Sequence, residues 1–148
     1  MKTQAKKLDY TCSLVAPIAA KEAFEKIAEV AAWWTQDFSG KAEQLHDRFK
    51  VQFGETFVDF EISEVIPNQK VVWEVKDCCL DWQNHKTEWN GTRIIWEAEE
   101  KEGKTLVQMT HKGLVPGAEC YAACREGWDD HLQNSLADTF AGEKGWPM

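Results

Sequence analysis

Residues 111–147, HKGLVPGAECYAACREGWDDHLQNSLADTFAGEKGWP, carry the reading that decides the fold. A strand-like end at His111 passes through a Pro116-Gly117 turn into a helical pattern predicted from about Glu119 to Phe140. Tyr121, Cys124, Trp128, Leu132, Ser135, Leu136 and Phe140 recur at the spacing of one buried helix face, with Arg125, Asp129, Gln133 and Asp138 on its flanks. Gly142, Gly145 and Pro147 stop the helix.

Beside that stripe, Cys120, Cys124, Gly127 and His131 fall in one narrow band. A zinc site would use the two cysteines and His131, with His111 from the preceding strand, because thiolate and imidazole are zinc's usual ligands. No second ligand pair has finger-like spacing, so no metal is expected. A catalytic site would pair a cysteine with His111 or His131 as nucleophile and base. Nothing in the sequence supplies a third residue to orient that base, and no catalytic residue is assigned. A pocket wall is the third reading: Gly127 removes a side chain in mid-helix at a cost of about 1 kcal/mol relative to Ala, which leaves room. Close helix-on-sheet contact explains the same glycine equally well. Pocket and packing together outweigh the chemical readings.

Upstream of this stretch the period is two. Phe49, Val51 and Phe53 share one face, then Val58, Phe60 and Ile62, Val71, Trp73 and Val75, Ile94, Trp96 and Ala98, and Val107, Met109 and His111. These are predicted strands of an antiparallel meander with one wet face. FGET, IPNQK, WNGT and KEGKT separate them with turn residues. In the WNGT turn, Asn90 and Gly91 are both expected at positive φ, as a tight reversal after Trp89 needs. DCCLDWQNHKTEWNG, residues 77–91, is too long for a tight hairpin and is either a lid or a packed loop. At the N-terminal end, Leu8, Tyr10, Cys12 and Leu14 alternate as a strand that Pro17 ends. Ala20, Ala23, Phe24, Ile27 and Ala28 then make one helical face, followed by a second short helix after a bend near Glu29 that Trp33-Trp34 closes.

A chain of 148 residues with 43% hydrophobic and 28% charged residues is expected to fold as one domain spanning 1–148. Its net charge of −8, without a basic stripe, argues against nucleic acid and anionic membrane surfaces. With no long apolar run, the expected location is cytoplasmic. Five cysteines is an odd number without framework spacing, so free, mostly buried thiols are expected. Eight tryptophans in so small a domain point to a wide core or a lined cavity.

The order of elements resembles the helix-grip fold of the START-like, or SRPBCC, superfamily. The wording of EVAAWW, VVWEV, EWNGTRIIWE, THKGLVPGAECYAACREGW and SLADTFAGEKGWP is similar to the bacterial branch of the family named after the heat-shock protein 90 ATPase activator. The resemblance spans about residues 8–147. It implies an α+β fold in which a curved antiparallel sheet wraps a long C-terminal helix, with two short helices after the first strand. It also implies an apolar cavity of the kind the superfamily uses for small hydrophobic ligands. Chaperone-activating members carry an additional N-terminal domain that has no counterpart here, so a chaperone partner ranks behind a small ligand.

The inward positions Phe53, Phe60, Trp73, Trp96, Met109 and His111 are therefore expected to face Cys124, Gly127, Trp128 and His131, with Trp33 and Trp34 near one mouth. Trp128 is expected to border the cavity together with Trp73 and Trp96. The favoured function is binding or carriage of a small hydrophobic or aromatic molecule, without a cofactor. An enzyme of the cyclase or hydrolase kind, with a pocket histidine as general base, and a co-chaperone-like interaction protein are the alternatives.

Overall fold

A computed structural model describes residues 9–148, and in it the period-two runs are strands. They are β1 (Tyr10–Ala16), β2 (Phe38–Gly40), β3 (Arg48–Phe53), β4 (Thr56–Ile66), β5 (Lys70–Cys79), β6 (Arg93–Lys101) and β7 (Lys104–Lys112). They form one antiparallel sheet in the order β1-β7-β6-β5-β4-β3-β2. Only the first strand leaves the meander order, returning to pair with the last. The three-residue β2 has too short an alternation to be seen in the sequence and lies outside the predicted set. Leu8, assigned to the first strand by its pattern, lies outside the described residues.

Register follows burial. Phe49 and Val51, Val58, Phe60 and Ile62, Trp73 and Val75, Ile94 and Trp96, and Val107, Met109 and His111 are buried, while most of their sequence neighbours are half-buried or exposed. A slip of one residue would turn every one of these side chains to water. Pairing between β4 and β5 shifts register between Asp59 and Phe60 and again between Ile62 and Glu64. Such bulges bend a strand and increase its twist, and so curve the sheet into a grip.

The helices close the open side. α1 (Ala20–Ala28) and α2 (Val30–Trp33) are separated at Glu29, whose ψ of 62° is not helical. Glu100 from β6 accepts the Ala20 N–H at 2.8 Å, supplying the capping group that Ala19 lacks at the start of α1. The long C-terminal helix predicted as one α-helix from Glu119 is instead α3 (Tyr121–Asp130), a π-helical stretch (His131–Leu136) and α4 (Ala137–Phe140). A 3.6-residue pattern cannot distinguish an inserted π turn, because Leu132, Ser135 and Leu136 are buried in either geometry.

The whole assembly is the α+β helix-grip arrangement. Ties run from the sheet and α2 to the long helix: the Tyr10 hydroxyl donates to Asp129 at 2.6 Å, and the Ser135 hydroxyl donates to the Trp33 carbonyl at 2.7 Å. In the 89–92 turn only Gly91 has positive φ, at 82°, so the expectation for Asn90 is corrected. A single left-handed residue is enough there because the Thr92 N–H bonds the Trp89 carbonyl at 2.9 Å.

Candidate functional site

An aromatic cavity of about 290 Å³ opens between β3, β4, the loop 80–92 and the last helix. Its walls are Trp34, Phe53, Thr56, Val58, Leu80, Trp82, Trp89, Cys124, Gly127, Trp128, His131 and Met148. The volume is at the lower end of the range that ligand pockets span.

The aromatic wall is built around Trp34. Its ring centroid lies 4.9 Å from that of Trp128, 5.8 Å from Phe53 and 6.3 Å from the His131 ring. Trp89 stacks on Trp128 at 6.0 Å with planes 8° apart. Trp82 is 53% exposed, which sets it at the solvent edge of the cavity. A β-carbon added at Gly127 would meet nothing within 4 Å, so the missing side chain is open space and not a tight backbone approach. Of the two readings of this glycine, the geometry favours room over packing.

Of the residues picked out in the sequence, Trp34, Phe53, Cys124, Gly127, Trp128 and His131 come together on this wall. Trp33, Phe60, Trp73, Trp96, Met109 and His111 do not; they are 0–1% exposed and belong to the solid core, which corrects their assignment to the lining. Phe49, Phe60, Trp73, Trp96 and Trp33 pack as one chain of rings with centroids 4.9 to 5.9 Å apart, filling the grip where an interior cavity was expected. Trp128 consequently borders the cavity with Trp34 and Trp89, and not with Trp73 and Trp96. The wall residues missed were Thr56, Val58, Leu80, Trp82, Trp89 and Met148. The two tryptophans of the 77–91 stretch were the available signal, since large apolar rings in a long loop need something to cover.

That loop is fastened to the start of α3 by two carboxylates. Glu88 accepts the Glu119 N–H at 2.7 Å, the Cys120 N–H at 3.1 Å and the Gln83 amide at 2.9 Å. Glu119 in return accepts the N–H groups of Asn84 and His85, each at 2.9 Å. Burial pushes the Glu88 carboxyl up, but these hydrogen bonds and nearby His85 outweigh it and hold it below the usual carboxylate range.

His111 is a structural histidine. The indole N–H of Trp128 donates to its Nδ1 at 3.1 Å, and because an indole only donates, the ring proton sits on Nε2. Nε2 then donates to the Thr92 hydroxyl at 2.9 Å, and that hydroxyl donates to the Trp89 carbonyl at 2.7 Å. Desolvation lowers its pKa to about 3. With its lone pair occupied and its surface sealed, His111 has no capacity to act as a base. His131 is the imidazole at the cavity wall. Burial lowers its pKa and Asp130 opposes that only in part, so the ring is neutral near pH 7, with one donor and one acceptor nitrogen.

The expectation of free thiols throughout is also corrected. Cys120 and Cys124 are joined by a disulfide, with Cα atoms 5.5 Å apart, while Cys12, Cys78 and Cys79 are free. One helical turn from the first residue before α3 brings the two Cα atoms within the range a disulfide spans. Among the described residues, no group of three or more potential ligands is placed to hold a metal ion. Nor is any helix there long and apolar enough to cross a membrane.

The sequence profile of the family described as Activator of Hsp90 ATPase homolog 1-like protein matches residues 22–141. No curated protein matches the chain in sequence. Among solved structures, the Aha1 dimer from Colwellia psychrerythraea is 22% identical, covering 85% of this chain and 91% of that one with a TM-score of 0.67. A Staphylococcus saprophyticus protein is 18% identical, covering 95% and 98%, with a TM-score of 0.65. A protein of the dynemicin biosynthetic locus, also 18% identical, superposes with a TM-score of 0.65 over 91% of this chain and 48% of its own. At these identities the likeness is one of fold.

Proposed function

We propose that this chain, which belongs to the family of Activator of Hsp90 ATPase homolog 1-like proteins, binds one small apolar or aromatic molecule between the loop 80–92 and the last helix. The observation that carries the reading is the cavity of about 290 Å³ walled by Trp34, Phe53, Trp89 and Trp128, with the neutral ring of His131 beside them. Flat apolar faces supply area to bury, and one imidazole supplies a hydrogen bond that orients the guest. The enzymatic alternative is weakened by His111, whose lone pair Trp128 occupies. His131 alone, without a nucleophile and an orienting partner, favours binding over turnover.

The test is a thermal-shift and tryptophan-fluorescence screen of the full chain with indole, toluene, naphthalene and medium-chain fatty acids. A ligand at a hundredfold excess over its Kd stabilises by about 2.7 kcal/mol. Gly127→Leu fills open space on the wall, and it is expected to lower affinity at least tenfold without lowering the melting temperature. No shift with any of these compounds in the wild type would overturn the reading.

A further inference from the structure

The Cys120–Cys124 disulfide has two unequal faces. Cys124 lines the cavity, whereas Cys120 is 1% exposed behind it, and its Sγ accepts the indole N–H of Trp89 at 3.4 Å. A bridge of sequence separation 4 between residues already held by one helical turn removes little chain entropy, so it does little as a staple. The position suits chemistry better: a sulfur–sulfur bond forms part of the wall of an apolar cavity, and only one of its sulfurs faces the guest.

We propose that this disulfide is a thiol-exchange site whose partner is a small apolar or aromatic thiol bound in the cavity, a proposal that rests on the binding reading above. The guest's sulfur attacks Cys124 Sγ from the cavity side. A bond forms between the guest and Cys124, and the Cys120–Cys124 bond breaks with its electron pair going to Cys120. The Trp89 N–H supports the departing sulfur, while the Glu88 carboxylate on the Cys120 N–H opposes lasting negative charge there. The proton released by the attacking thiol therefore ends on Cys120. The products are a mixed disulfide at Cys124 and a free Cys120 thiol, with no net oxidant or reductant consumed. Attack on Cys120 is blocked by Trp89 and its burial, so the regiochemistry is fixed by the fold.

The experiment uses the full chain purified without reductant. Alkylation in denaturant is expected to label three cysteines before reduction and five after it, in keeping with the free Cys12, Cys78 and Cys79. Benzyl mercaptan should then form an adduct that peptide mass spectrometry maps to Cys124, at least tenfold faster than glutathione, which is too large and charged for the cavity. Toluene, which has no thiol, should slow the benzyl reaction by competition. In Cys120→Ser, dibenzyl disulfide should label Cys124, whereas Cys124→Ser should leave Cys120 unlabelled. Five labelled cysteines before reduction, an adduct on Cys120, or equal rates for glutathione and benzyl mercaptan would each overturn the proposal. Toluene binding with no exchange would sink the exchange chemistry and leave the binding reading standing, whereas exchange insensitive to toluene would count against both.

Discussion

At the scale of single residues, His111 shows how burial converts a reactive group into a framework. Its two ring nitrogens join the last helix, through Trp128, to the 89–92 turn, through Thr92, so one neutral imidazole links two walls of the cavity. The pH consequence has a definite sign. The folded pKa of about 3 lies below the ordinary 6.5, so between those values the unfolded chain binds a proton that the folded chain excludes. Stability from this group is complete above pH 6.5 and falls by up to about 1.4 kcal/mol per pH unit as the pH drops towards 3. Urea unfolding of the wild type from pH 7 to 5 should show this decline. In His111→Gln the starting stability should be lower and the decline shallower, the remainder coming from His131, whose pKa is lowered in the same sense. Equal slopes in the two proteins would show that His111 is not held neutral. Trp96 is a contrasting case: its indole N–H is buried with no partner among the described residues, while the equally buried Trp33 donates to the Ile27 carbonyl at 3.1 Å.

At the scale of elements, the last helix and the loop 80–92 act as one unit. Gly127 sits in α3 with open space where a β-carbon would be, so Gly127→Ala gains helix propensity and meets no clash. It should raise the unfolding free energy by about 0.5–1 kcal/mol. A measured loss would mean that something packs against that face. The loop depends on Glu88, which receives three hydrogen bonds and is held below the usual carboxylate range. Glu88→Gln replaces one accepting oxygen with an amide donor and should cost about 1.5–3 kcal/mol. Hydrogen exchange of the loop 80–92 amides should accelerate more than that of the strands. Uniform acceleration across the sheet would place the loop inside the global folding unit instead. The π-helical stretch begins at His131, the residue whose imidazole faces the cavity, and such insertions are frequent where a helix presents functional groups.

At the scale of the whole molecule, the curved sheet holds packed rings where the family resemblance implied an apolar cavity among Trp73, Trp96 and Trp128. Rings from β3, β4, β5, β6 and α2 meet in the middle, and the aromatic cavity lies towards one end, where a loop and the helix complete it. The strands other than β2, the two short helices and the long helix, though not its π turn, were legible in the chain because each presents a periodic apolar face, and periodicity is a property of local sequence. Phe53, Cys124 and Trp128 were legible for the same reason, as positions on such faces, while Gly127 and His131 were read from the band beside the helix stripe and Trp34 from the end of the second short helix. Whether an inward ring is covered or left bare depends on the depth at which opposing elements meet. That distance is set by the bulges between β4 and β5, by the bend at Glu29 and by the seating of the helix on the sheet. Trp33 and Trp34 read alike in the sequence, yet one is sealed against Trp96 and the other faces the cavity. Trp89 and the Cys120–Cys124 bridge belong to the same class, since their partners come from packing across the loop and from the turn that starts α3. The chain's local order thus determined which residues point inward, and only tertiary packing decided which of them line the cavity.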